Sequence, residues 1–274
     1  MADVMCDASR SDRKRMESLQ SAEASRFLST FPTNAFRVFT DLELEISVKH
    51  RHGLPATDEV LTFCGVCKNN ISPEDPHHSL TCVSNTPHGK SHRHDSQTLT
   101  KVRHMRANGM TASAQPRRVF SNSNKTPDGM AEVGMNTIFW DDVVTNPCSP
   151  ANLEANRGVE QAEKRKRAKY AEELKEQGYQ FRAFSIDVFG KLSEDALKFV
   201  DEIALQAEHF GTSTAKQARN DLLDEISVQL HRSNSRITQR SVNDNRNYRS
   251  KQQLVRDVQM AAADVREAAQ ASQS

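Results

Sequence analysis

Two acids flank a short hairpin in this chain. Asp128 follows Thr126-Pro127, and Asp141 closes an apolar run with twelve residues between the two. Gly129 to Val133 reads as a strand, Gly134-Met135-Asn136 as a tight turn, and Thr137 to Trp140 as the returning strand that delivers Asp141. Strands joined this way lie about 5 Å apart, so both acids reach one point. Two oxygen ligands with positions left over suit magnesium, which keeps waters and accepts a phosphate. That is the centre of a metal-dependent nuclease. The same acids also fit a surface turn and a strand end, so the rest of the chain has to decide.

A second group of candidates lies on the clearest helix, read from Leu153 to Gln177 and stopped by Gly178. Lys166, Lys169 and Tyr170 share one of its faces at helical spacing. A lysine beside two metal-bound carboxylates can hold the attacking water and offset phosphate charge. Lys164, Arg165 and Arg167 point elsewhere, toward DNA phosphates, which give affinity without sequence choice. A solvated basic face or a nuclear-import run has the same composition. Arg93-His94-Asp95 opens an earlier helix, and Arg93 is grouped with Lys164, Arg165 and Arg167 as a nucleic-acid contact. Asp95 either adds a carboxylate to the site or is an acid favoured by the helix dipole. Asp187, on a later strand, is a candidate acid behind the site.

The third group binds a different metal. Cys64-Gly65-Val66-Cys67 presents two sulfurs to one ion, and His77, His78 and Cys82 follow within fifteen residues. Zinc takes four such ligands in a closed, structural site. Cys82 supplies the third ligand and His78 the fourth, with His77 as its alternative. A segment of roughly twenty residues cannot bury enough apolar area to fold alone, so the metal would stabilise it. Three unpaired thiols in a loop is the competing reading. Cys6 and Cys148 read as free thiols, and His88, His92 and His104 as surface residues.

These groups need positioning elements. Residues 1–25 read as a disordered tail, 26–58 as a small helical module with a helix start at Thr40, and 59–90 as the zinc segment. Over 91–211 the order is helix, three strands, helix, strand, helix, the pattern of a mixed α/β three-layer domain. Its first strand is placed at Arg117 to Phe120, its last at Tyr179 to Val188, and Ser193 caps the closing helix. Residues 212–274 read as a helical, partly loose tail, with one docking helix around Leu222 to Leu230 and a polar stretch from Arg236 to Tyr248. Hydrophobic residues make up 36%, too few for one core spanning all 274 residues. The 37 Lys+Arg nearly cancel the 36 Asp+Glu, so any nucleic-acid binding rests on local clusters. No run approaches the ~20 apolar residues of a membrane span. The polar N-terminus is no secretory signal, and the five cysteines fit a reducing compartment, nuclear or cytoplasmic.

In order and spacing these motifs resemble the C-terminal region of non-long-terminal-repeat retrotransposon polyproteins that carry a restriction-like endonuclease. The matching residues are Cys64, Cys67, His78 and Cys82; Arg93-His94-Asp95; Pro127-Asp128; Asp141; and Lys166, Lys169 and Tyr170. Ile186 to Gly190, Phe31-Pro32-Thr33 and His52-Gly53-Leu54-Pro55 resemble further blocks, so the likeness covers about residues 26 to 232. No motif is specific alone. The resemblance implies a restriction-endonuclease-like core with acids and a lysine around magnesium, an N-terminal zinc knuckle and a helical C-terminal extension. It implies nicking of DNA to prime reverse transcription, with element RNA and a reverse transcriptase as partners. Thr126 stands where the family has a basic residue, and Val143 where restriction enzymes place a lysine, so the lysine must come from the helix. No polymerase segment lies in these residues, which points to a truncated element, a separate gene or a domesticated remnant.

Overall fold

Asp128 and Asp141 stand on adjoining strands of a four-stranded mixed sheet in the computed structural model. The structure describes residues 8–56, 62–71, 75, 77–82, 84, 89–117, 119–120 and 125–271. In chain order the elements are α1 (Arg10–Leu19), α2 (Arg26–Ser29), α3 (Asp41–His52), α4 (His78–Thr81), α5 (Ser91–Ala107), β1 (Ala112–Ala114), β2 (Gly129–Val133) and β3 (Asn136–Thr145). Then come α6 (Pro150–Glu154), α7 (Val159–Glu176), β4 (Gln180–Asp187), α8 (Glu194–His209) and α9 (Ala215–Ala271). None of the described helices is long and apolar enough to cross a membrane.

The sheet order is β1-β2-β3-β4, antiparallel through β3 and parallel between β3 and β4. A parallel pair needs a crossover, which α6 and α7 supply. Gly134, at φ 62°, turns the β2–β3 hairpin. Gly129 is dictated by contact: a Cβ there would collide with the Trp140 indole across the ladder. Alternate residues of β3 and β4 face opposite layers. Phe139, Phe181 and Ala183 meet Tyr170 and Leu174 of α7. Ile138, Trp140, Phe184 and Ile186 join the larger core with α5, α8 and α9. The capping box of Thr40 and Glu43 starts α3, and the Ser193 side chain accepts the Ala196 N–H to start α8.

Several elements differ from the expectation. Part of the expected disordered tail is helix α1, begun by Ser9, whose side chain accepts the Asp12 N–H. Residues 1–7, with Cys6, lie outside the described set, as does His88. The first strand is Ala112–Ala114 rather than 117–120, pairing with β2. Helix α7 starts at Val159, because Asn156 at φ 48° breaks the chain after α6. The expected loose stretch at 236–248 is helical, since α9 runs unbroken and packs against α2, α3, α4, α5 and α8. The polar residues it buries are small: Ser235 Oγ donates to Glu43 O at 2.8 Å, and the Ser79 and Thr238 hydroxyls meet at 2.9 Å. His104 is buried 3.9 Å from Glu225 rather than on the surface.

One ion pair ties α5 to the sheet. Lys101 Nζ lies 2.7 Å from Asp142 Oδ1, and both side chains are fully enclosed. Lys101 also donates to Gln97 O at 2.9 Å and stands over the Phe184 ring. Breaking a buried pair strands the surviving charge, at about 3–5 kcal/mol, whereas an apolar replacement of both is near neutral. Asp142→Asn should therefore lower the urea midpoint strongly, and Lys101→Met with Asp142→Leu should restore most of the loss. Fluorescence of Trp140, the chain's one tryptophan, follows it. Equal destabilisation by single and double variants would contradict this.

Candidate functional site

The zinc-type ligands converge. Cys64 and Cys67 sit on a turn closed by Lys68 N–H donating to Cys64 O at 2.9 Å, with Lys68 at φ 63°. Helix α4 then brings in His78 and, at its C-cap, Cys82. All four ligand atoms lie within 4.8 Å of one another. Tetrahedral zinc with bonds of about 2.0–2.3 Å spaces its ligands roughly 3.4–3.8 Å apart. Cys64 and Cys82 sulfurs are 3.8 Å apart, and Cys67 Sγ is 3.4 Å from His78 Nε2, so this cluster can hold zinc. Asp75 Oδ2, 3.3 Å from His78 Nδ1, orients the ring, as carboxylates behind ligating histidines do. Burial opposes ionisation of Cys64, but hydrogen bonds from His78 and from the Cys67 and Val66 N–H groups bring its thiol down to about 6. His77 is buried edge-on to His50 and Phe189, so the fourth member of the cluster is His78. The knuckle rests on α9: Gly65 lies against the Asn245 backbone, and Phe63 stacks on Tyr248 at 5.0 Å.

Beside α9 lie two further enclosed histidines. Burial pushes His231 down to about 3, with the Arg51 charge adding to it; burial also lowers His50, helped by His77 and His231. His231 packs on Phe27 at 3.9 Å, and His50 Nε2 lies 3.2 Å from the Thr238 hydroxyl. Both are neutral when folded, whereas the unfolded chain protonates them near pH 6.5. Their stabilisation is thus complete above about pH 6.5 and is lost as pH falls below it, for His231 about 2 kcal/mol by pH 5. Melting temperature should drop between pH 7.5 and 5, and His231→Gln should flatten that drop. A variant profile as steep as the parent's would count against this origin.

The acids are placed by register. Gly129 pairs with Trp140, so the next step of the ladder sets Asp128 opposite Asp141, and Asp128 N–H donates to Trp140 O at 2.9 Å. Asp128 Oδ2 accepts the Asp142 N–H at 2.6 Å and meets His94 Nε2 at 2.9 Å. Asp141, buried, is ion-paired through Oδ2 with Lys166 from α7. Burial, then the nearby Asp128 charge, raises the Asp141 pKa, and Lys166 pulls against both. The Asp128 partnership holds His94 up at about 9, so its ring is cationic at neutral pH. Two adjoining carboxylates thus each carry a side-chain cation.

The other expected residues distribute unevenly. Tyr170 is buried beneath the site, donating to Thr126 O at 3.2 Å and accepting Lys169 Nζ at 2.6 Å. Lys169 therefore meets the tyrosine rather than an acid. Asp95 touches His94 Nδ1 at 3.3 Å and reaches Asp128 only through that ring. Arg93, expected as a nucleic-acid contact, is 4% exposed and donates to Asn234 of α9 at 2.8 Å. Lys164 and Arg165 are exposed. Arg167 pairs with Asp195 at 2.9 Å. Asp187 is not behind the acids: it lies at the far end of β4, accepting the Phe189 and Lys191 N–H groups of a turn. His94 and the Asp142 pair were not foreseen. Their signal was the polar spacing His94, Thr98, Lys101 along one face of α5.

No protein-family model matches the chain, and comparison with curated proteins gives no match either.

Proposed function

We propose that this chain is a retrotransposon-derived, magnesium-dependent DNA endonuclease domain that nicks DNA by phosphodiester hydrolysis. The observation that carries the reading is the ladder register that sets Asp128 across from Asp141, with Lys166 on Asp141. The order helix α5, three antiparallel strands, helix α7 and a parallel fourth strand agrees with a restriction-like core. Asp128 and Asp141 would hold the magnesium, which supplies Lewis acidity at the phosphate when bound. Lys166, released from Asp141, holds the attacking water and offsets charge on the phosphate oxygens. Tyr170 fixes the backbone before Pro127 through Thr126 O, and His94 fixes Asp128. Lys164 and Arg165 contact flanking phosphates. Partners are DNA, element RNA and a separate reverse transcriptase.

A second reading has its own support. Both carboxylates are paired with side-chain cations, the arrangement expected of a remnant that binds nucleic acid without cutting it. Supercoiled plasmid incubated with the zinc-loaded protein separates the two. Nicked circles formed with magnesium and not without it support the nuclease. Salt-sensitive binding with no nicks supports the remnant. Loss of both leaves only a zinc-bearing interaction module.

A further inference from the structure

A cavity of about 250 Å³ lies between α5, the end of β1 and Asp128. Its lining includes His94, Asp95, Leu99, Ala114, Gln115 and Asp128, but neither Asp141 nor Lys166. It therefore adjoins the acid pair without being the space between the acids. Gln115 follows β1 at φ 49°, a left-handed conformation that residues other than glycine seldom adopt. Its N–H donates to Asp128 O at 2.8 Å, so the segment carrying Asp128 holds it there. Such strain persists only where the surroundings enforce it, and it gathers at functional sites. The Gln115 side chain is exposed, and its amide makes no hydrogen bond among the described residues. Asp95, also exposed, is oriented by His94: Oδ1 meets the ring Nδ1 at 3.3 Å, while Oδ2 has no partner among the described residues. An accessible acceptor and an accessible amide thus line one small space beside the acids.

We propose that this cavity seats an unpaired guanine beside the phosphate that is cut. The inference rests on the nuclease reading for the phosphate at Asp128; the choice of base comes from the lining. A carboxylate only accepts hydrogen bonds, and an oxygen with one partner accepts another, so Asp95 matches two parallel N–H groups. Guanine alone among the bases presents such a pair, N1–H and N2–H, with an acceptor, O6, next to them. Gln115 Nε2 donates to that O6. Leu99, exposed on α5, and Ala114 offer apolar contact to the faces of the base. These hydrogen bonds use the edge that pairs with cytosine, so the guanine must stand outside a duplex, in single strand or turned out of the stack.

The test is fluorescence anisotropy with the zinc-loaded full chain and no magnesium, so that failure to nick does not bear on it. The probes are short fluorescein-labelled deoxythymidine strands, plain or carrying one central guanine or hypoxanthine. Guanine should tighten binding roughly tenfold over the plain strand. Hypoxanthine, which lacks the N2 amino group, should lose most of that gain. Asp95→Asn, which replaces one acceptor by a donor, should abolish the guanine preference. Gln115→Gly should weaken it severalfold without lowering the melting temperature, because glycine adopts the positive φ freely. A merely structural role for Gln115 would leave the preference in place. Equal affinity for the guanine and plain strands, or a preference that survives both variants, overturns the proposal and leaves the shared cation of Asp128 and Asp141 untouched. No binding of any strand overturns it together with the nucleic-acid reading.

Discussion

Cys64→Ser yields a chain that retains no zinc, and its knuckle detaches from α9. The parent should carry one zinc per chain by metal analysis. The segment from residue 62 to 82 has little to hold it besides the metal. Among its described residues the buried apolar side chains are few, with Leu80 joining Val188, Phe189 and Ile237. Structural zinc contributes about 10–16 kcal/mol of binding free energy at neutral pH, which in so small a unit is folding free energy. The effect should travel. Gly65 on Asn245, Phe63 on Tyr248 and Lys68 over the Tyr248 ring are what the far part of α9 gains from the knuckle. Hydrogen exchange should therefore rise both in the knuckle and around residues 237–248, while the sheet stays protected. A variant that still holds zinc, or exchange unchanged in α9, would contradict this.

The largest effect on activity is expected at Asp141. Asp141→Asn keeps the shape and removes the charge that pairs with Lys166, so the fold should persist while nicking falls by a thousandfold or so. Lys166→Met should cost about a hundredfold to a thousandfold, and the double variant little more than Asp141→Asn alone, because residues acting as a unit are not additive. Lys169→Met makes the contrast. Its ammonium lies on the Tyr170 hydroxyl, so its loss should be felt far less than that of Lys166. Measured rates in which Lys169 matters more than Lys166, or in which the two losses multiply, would transfer the water-holding role elsewhere.

Much of this was legible because it depended on local chemistry. The alternation of Gly129 to Val133, the Gly134 turn, the Thr40–Glu43 box and the Ser193 cap are signals carried by adjacent residues, and β2, α3 and α8 begin where those signals place them. The cysteine spacing likewise named the three thiols of the cluster and left the fourth place between His77 and His78, which only the position of α4 decides. What escaped depends on partners distant in sequence. Arg93 reads as a surface cation until α9 covers it through Asn234. The serines, threonines and asparagines of α9 read as solvated until α3 and α4 lie against them, where short side chains let backbones approach. His94 has no meaning as a single residue; it acquires one only when α5 crosses the end of β2 and sets its ring on Asp128. Strand β1, three residues long, lacks enough sequence for any periodicity.

Manganese titration of the zinc-loaded protein, read by the fall of the free-ion paramagnetic resonance signal, tests the shared-cation claim most directly. The parent should bind one manganese per chain, displaced by magnesium, and both Asp128→Asn and Asp141→Asn should lose it while keeping zinc. No uptake by the parent, or uptake indifferent to both substitutions, would contradict the account.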